Sequence, residues 1–289
     1  MIGSLNQLAD FVDEHLSESL DVAGLARQLG TTEYHLRRMF SAIAGMSLSD
    51  YVRRRRMTLA AADVVNKQPL MDVAVRFGYG STESFGRAFL AVHGATPAQV
   101  RQNGGPLSTQ QKLRFRITIE GTTTMDTRIL DRPAFTLVGH SARVPLVFAG
   151  INPQIQAHIA AIPIDEHTRL KALSSTEPSG LLQISADVDP DYAEGSDLTY
   201  MHGVAVDQTA TTPEGLDRID VPPGQWAVFT ASGAYPDVLQ SLWASTATEW
   251  FPSNPWRLRP GPSIVAVLDR ADDFSTATTE LWLPVESAD

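Results

Sequence analysis

One local pattern is written into this chain twice. The stretch "LARQLGTTEYHLRRMF" (25–40) and the stretch "VAVRFGYGSTESFGRAF" (73–89) each read as an apolar helix, a glycine-containing turn and a second helix. Thr32 and Ser81 stand where a hydroxyl oxygen can cap that second helix, and one extra residue sits in the second turn. Two helices joined by so short a turn form a helix-turn-helix, whose second helix enters the DNA major groove while the first crosses the backbone. A plain helical bundle with a solvated arginine face would explain one such stretch. It does not explain why Arg38 falls on Arg87 and Phe40 on Phe89 when the two are aligned.

Helical spacing sorts the side chains of each second helix. Leu36, Met39, Phe40 and Ile43 make a buried stripe, leaving Tyr34, Arg37, Arg38 and Ser41 outward. In the second copy Phe85, Ala88, Phe89 and Val92 go inward, and Thr82, Glu83, Gly86 and Arg87 go outward. An arginine there can pair with guanine O6 and N7, and a glutamate can accept from cytosine N4. The run Arg53-Arg54-Arg55-Arg56 fans around its helix, so these four cannot all face one duplex. One or two are expected on phosphate or paired with acids such as Asp50 and Asp72.

Around these copies the first hundred residues keep a helical period. "LNQLADFVDEHL" places Leu5, Leu8, Phe11, Val12 and Leu16 on one face, residues 47–68 read as a long helix, and Pro69 opens another. "NGGP" (103–106) and the Ser, Thr and Gln that follow read as a linker. Residues 1–104 carry eleven Lys and Arg against ten Asp and Glu, while residues 105–289 carry twelve against twenty-three. The acidity of the chain therefore belongs to its second part, and the first is free to meet DNA.

From about Met125 strands and helices alternate in two rounds. Strand-like 128–141, helical 151–162, then strand-like "GLLQISADV" and 198–206 make one round. Strand-like 216–233, helical 236–251, then "SIVAVLDR" and 278–286 make the other. Two such strand-helix-strand-strand units predict an α+β domain with a pseudo-two-fold axis and a ligand groove between its halves. "LRFRITIE" (113–120) alternates cleanly enough for an extra strand.

"LGTTEYHLRRMFSAIAGMSLSDYVRRRRMTLAA" with "MDVAVRFGYGSTESFGRAFLAVHGATPAQVR" resembles the DNA-binding domain of the AraC/XylS family of transcription regulators across residues 4–102. The resemblance implies two helix-turn-helices held by a long central helix, reading two successive major-groove faces of one asymmetric site. Carried over by position, the base-facing residues are Tyr34, Arg37 and Arg38, and Thr82, Glu83 and Arg87. It also implies RNA polymerase as a partner. The tandem repeat, with "DRPAFTLVGH" and "TTELWLPVE" at its ends, looks like a GyrI-like effector-binding domain. The chain is thus expected to be multidomain, with an all-α double helix-turn-helix domain over 1–102, a linker over 103–124 and an α+β GyrI-like domain over 125–289. That family's groove takes lipophilic, often cationic compounds on aromatic walls, so Phe148, Tyr200, Trp226, Trp250 and Trp282 are candidate walls. Trp243 is another aromatic candidate; Val238, Leu239, Leu242, Trp243 and Trp250 also share one helical stripe that would serve as core. The family commonly carries a glutamate on the strand matching "PSIVAV", where this chain is read as having Val265. Glu249 and Glu280 are the nearest substitutes, each read as a surface carboxylate, and a strong preference for cations is not expected.

Other chemistry has little to stand on. The chain has no cysteine, which removes disulfides, thiolate metal sites and thiol nucleophiles. It lacks Gly-x-Ser-x-Gly, a phosphate-binding Gly-Lys-Ser/Thr loop and His-Glu-x-x-His, and its histidines lack metal-ligand spacing. Neither catalytic residue, metal nor cofactor is expected. With no apolar run near the roughly 20 residues a membrane helix needs, no membrane partner is expected and the chain is read as cytoplasmic. Rival readings are a small-molecule hydrolase with a DNA-binding appendage, and a GyrI-like protein that sequesters a protein partner.

Overall fold

The computed structural model describes residues 2–116, 125–148, 150–271, 273 and 275–288. The chain divides into two compact units, Met1–Leu29 with Met46–Ile119, and Gly30–Gly45 with Glu120–Asp289. The first unit holds helices α1 (Ile2–Glu14), α2 (Val22–Gln28), α4 (Leu48–Val65), α5 (Leu70–Arg76), α6 (Thr82–His93) and α7 (Pro97–Asn103). Helix α3 (Glu33–Ala44) clusters with the second unit.

In the helical unit, Met57, Ala60, Ala61 and Val64 of α4 pack with Val73, Ala74 and Phe77 from α5 and its end, Phe85 and Phe89 of α6, and Val100 of α7. Side-chain caps set the helix ends. Ser47 Oγ accepts from Asp50 N, and Thr96 and Gln99 form a reciprocal capping box ahead of α7. Pro69 lies one residue before α5 rather than in its first turn.

As far as residue 116, the segment after α7 is strapped to the helical unit. Asn6 donates to Phe115 O at 3.0 Å and accepts from Phe115 N at 2.9 Å. Gln110 N donates to Thr58 Oγ1 at 2.8 Å and Leu113 N to the Tyr51 hydroxyl at 3.1 Å. Extended backbone without a sheet neighbour must find its partners in side chains, and here it does. Of the strand foreseen over 113–120, residues 113–116 have no sheet partner among the described residues, and 117–120 lie outside them.

The second unit is built on one antiparallel sheet: β1 (Asp126–Arg132), β2 (Phe135–Pro145), β3 (Leu182–Ala186), β4 (Asp197–Asp207), β5 (Asp217–Val221), β6 (Gly224–Ala234), β7 (Trp256–Leu258), β8 (Ser263–Arg270) and β9 (Thr276–Ser287). Their order is β1-β6-β9-β8-β3-β4-β2-β5, with β7 added on β9. The two expected rounds are present, and each leading strand is split. Pro133 separates β1 from β2, and Pro222 with Pro223 separates β5 from β6, because proline brings no N–H to a ladder. The split strands are exchanged: β1 pairs with β6 of the second round and β5 with β2 of the first. The order is therefore symmetric about the β8–β3 junction.

Alternation gives the sheet two unlike faces. Val138, Val204 and Val206 pack against Leu170 of α9 (Ile164–Leu173), and Val144, Leu198 and Tyr200 against Ile155 and Ile159 of α8 (Pro153–Ala161). On the same side Phe229 meets Trp250 edge-on at 4.9 Å, in the π-helical turn that continues α10 (Asp237–Ser245). The other face carries Phe135, Leu137, Leu182, Ile184, Met201, Trp226, Val228, Ile264 and Trp282 as one core cluster. The Phe135 and Trp226 ring centroids are 5.9 Å apart although β2 and β6 stand five places apart in the sheet. In a flat sheet five places span about 24 Å, so this sheet curls until its ends face each other.

Candidate nucleic-acid interface and effector face

Helix α6 is assembled as its sequence foretells. Gly78 takes φ +81°, a left-handed turn that suits glycine, and Ser81 Oγ accepts from Ser84 N to cap the helix. Phe85 and Phe89 are fully buried and tilted together at 5.6 Å, while Glu83 and Arg87 are exposed and Thr82 and Gly86 half-buried. The Glu83 carboxyl is held below its ordinary range, first by its own backbone N–H and then by the Ser81 hydroxyl. The four consecutive arginines divide by role. Arg53 and Arg54 share Asp50, Arg55 pairs with Asp13 at 2.8 Å, and Arg56 donates to the carbonyls of Leu16 and Glu18. Asp13, not Asp72, is thus the second acid that the run engages. Arg54→Ala should consequently leave site-specific binding within about twofold and change mainly its salt dependence, which titrations at two salt concentrations would measure.

Helix α3 is placed differently. Leu36, Met39 and Phe40 are buried as expected and Ile43 is half-buried, but Arg38, assigned to the outward face, is buried too, and so is Ser41. Arg38 Nη1 donates to the Tyr34 hydroxyl at 2.9 Å and Nη2 to the Tyr192 hydroxyl at 3.1 Å. Arg37 pairs with Glu33 at 2.8 Å and with Asp191 at 3.1 Å. Their partners in the 187–196 loop of the sheet unit account for the difference from the helical-wheel expectation.

The effector candidates do not converge on one place. Trp226, Trp282 and Glu280 meet on the inner face of the curled sheet, whereas Tyr200 and Trp250 point to the helix side. Phe148 stacks on Tyr192 at 6.0 Å, Glu249 is exposed on the π-helical turn, and Trp243 lies near Arg38. Glu280 is not a surface carboxylate: it is 5 % exposed, accepts from Trp282 Nε1 at 2.9 Å and pairs with Arg128 at 2.7 Å. Val265 faces the helix side, because its neighbours Ile264 and Ala266 belong to the inner cluster. The inner-face residue opposite Glu280 is Ala266.

At the other end of that face, polar hydrogens are left over. The Trp226 indole N–H and two guanidinium nitrogens of Arg259 are buried without an acceptor among the described residues. The Arg259 guanidinium lies 5.6 Å from the Trp226 ring, over Gly224, where a side chain would collide with it. Burial pushes the Arg259 guanidinium below its ordinary value. Buried N–H donors without an acceptor are costly, so these call for one.

Comparison with known proteins places these units. The model of the GyrI-like small molecule binding domain matches residues 125–286, and a helix-turn-helix domain model matches 25–103. The regulatory protein SoxS of Escherichia coli K12 is 33% identical over 98 residues, which is 34% of this chain and 92% of SoxS. The right origin-binding protein of the same strain is 29% identical over 102 residues, 35% of each chain. This chain belongs to the GyrI-like family, behind an AraC-type helix-turn-helix domain. A solved structure of SAV2435 bound to tetraphenylphosphonium is 21% identical with a TM-score of 0.42, covering 56% of this chain and 94% of that one.

The GyrI-like domain also gathers histidines that sequence spacing left scattered. His167 Nδ1 and His202 Nε2 are 3.0 Å apart, His140 meets Glu166 at 2.9 Å, and His158 bonds the His140 carbonyl. Burial, reinforced by His167, lowers the His202 pKa to about 4; burial and the Arg38 charge lower that of His35, which accepts from Leu258 N, to about 3. Unfolded histidines take a proton near pH 6.5, and these two refuse it until far lower. Unfolding is then linked to proton uptake, so stability is complete above pH 6.5 and falls as pH drops toward 4, by up to about 1.4 kcal/mol per pH unit for each histidine. Thermal midpoints should decline from pH 7 to pH 5, less so in His202→Asn; equal midpoints across that range would contradict the assignment.

Proposed function

We propose that this chain is a sequence-specific DNA-binding transcription regulator that reads an asymmetric duplex site with α3 and α6 and senses a small molecule through its GyrI-like domain. The DNA-binding regulators of this family supply the general role. What carries the reading here is α6: a capped helix whose apolar face is buried and whose Thr82, Glu83 and Arg87 stand on the opposite side. On this reading Tyr34, Arg37 and Arg38 serve the first head, RNA polymerase is the protein partner, and the work is done in the cytoplasm without catalysis. Random duplexes selected with the full chain should converge on one site, with the two heads about 10 base pairs apart, one DNA turn. A pool that never converges would contradict the proposal.

The effector is proposed to have a flat apolar body with a hydrogen-bond acceptor, bound on the inner face by Trp226 and Trp282. Apolar burial and ring contacts are what that face offers, and the unmatched donors of Arg259 and Trp226 need an acceptor. Glu280, a carboxylate on that face, is already paired with Arg128 and so is not free to select a cation. Titrating the full chain's tryptophan fluorescence with 2-naphthoate, 2-naphthol and a naphthyl ammonium salt should show the first two binding at least as tightly as the third. A strong preference for the ammonium would contradict this choice.

A further inference from the structure

Arg38 sits in the sheet unit as a cation enclosed by rings. Its guanidinium carbon is 4.6 Å from the Tyr192 ring centroid, 5.7 Å from that of Tyr34 and 6.0 Å from that of Trp243. Among the described residues no carboxylate pairs with it, and only 6 % of the residue is exposed. A guanidinium taken from water is costly unless rings and acceptors replace the lost hydration, and here three rings and two hydroxyls do so. The box is itself held in place. Phe148 stacks on Tyr192, and Tyr192 has φ +51°, a left-handed backbone that a bulky residue keeps only when its surroundings enforce it. Arg37 is tied to Asp191 beside it, and the backbone N–H of Leu258 donates to His35 one turn away.

These contacts use the groups with which α3 would read bases. A guanidinium whose N–H groups are turned to two tyrosine hydroxyls, and which is almost wholly buried, cannot also lie bidentate on guanine O6 and N7. We propose that the box is an autoinhibitory latch: the sheet unit and DNA compete for Arg37 and Arg38, and α3 reads its half of the site only after leaving the box. The proposal rests on the assignment of α3 as a DNA-reading helix. It gives this sensor domain a direct means of weakening DNA binding, because apparent affinity scales with the fraction of molecules in which α3 is free.

The test uses the full chain and a duplex selected from a random pool, with changes confined to the sheet-unit side of the latch. Tyr192→Ala removes a ring and a hydroxyl from Arg38 and should tighten binding by about tenfold. Tyr192→Phe, which keeps the ring, and Asp191→Ala, which releases Arg37 from the loop while leaving its pair with Glu33, should each tighten it by about threefold. Thermal scans establish that each variant is folded, and the conservative Tyr192→Phe keeps the test valid if Tyr192→Ala is not. Arg87→Ala, which lies outside the latch, is measured beside them. If the three latch variants bind no more tightly than the parent while Arg87→Ala still loses affinity, the latch is overturned. If Arg87→Ala also leaves binding unchanged, the DNA-reading assignment itself has failed.

Discussion

Replacing Arg87 with alanine should weaken binding to the selected duplex by about 5- to 150-fold and binding to random duplex by much less. Arg87 is exposed on α6, on the side opposite the buried Phe85 and Phe89, so its removal leaves the helix packing alone. A bidentate pair between arginine and guanine is worth about 1–3 kcal/mol of discrimination, which corresponds to that fold-change. A phosphate contact would instead lower both affinities together and reduce the salt slope. Competition binding against both duplexes at one salt concentration separates the two roles. Equal losses on both would move Arg87 from the base edge to the backbone.

The largest effect on folding is expected at Phe89. It is fully buried, tilted against Phe85 at 5.6 Å and against the His93 ring at 4.2 Å, within the cluster that joins α4, α5, α6 and α7. Phe89→Ala leaves a void between four helices and should cost about 3–5 kcal/mol. For a unit of this size that lowers the thermal midpoint by more than about 10 °C and removes a large part of a marginal stability. His93 makes collapse into the void difficult, since its two ring nitrogens are already engaged by Met57 O and Ser108 N. A midpoint shift below about 3 °C would mean that α6 is not held by this ring.

The duplicated helix-turn-helix frame was legible in the sequence because everything that makes it is local: helical period, Thr32 and Ser81 as caps, glycines in the turns. The two rounds of the sheet were legible for the same reason, and Pro133 and the Pro222-Pro223 pair were available to announce the split of each leading strand. The burial of Arg38 was not legible. Its partner Tyr192 is 154 residues further along, and no periodicity links α3 to a loop that distant. Glu280 lies between these cases. It shares a face of β9 with Trp282 by simple alternation, a signal present in the sequence, yet its ion pair with Arg128 depends on β1 crossing to the other round. The parity that turns Val265 toward the helices was likewise set by a register that pairing alone decides.

A regulator of this kind recognises a DNA sequence and not merely DNA charge. The most direct measurement compares the full chain's affinity for the selected duplex with that for a scrambled duplex of the same composition, at low and at physiological salt. A preference of at least about a thousandfold for the selected duplex is expected to survive the rise in salt, while scrambled binding falls away. Equal affinities for the two duplexes, declining together as salt is added, would contradict it.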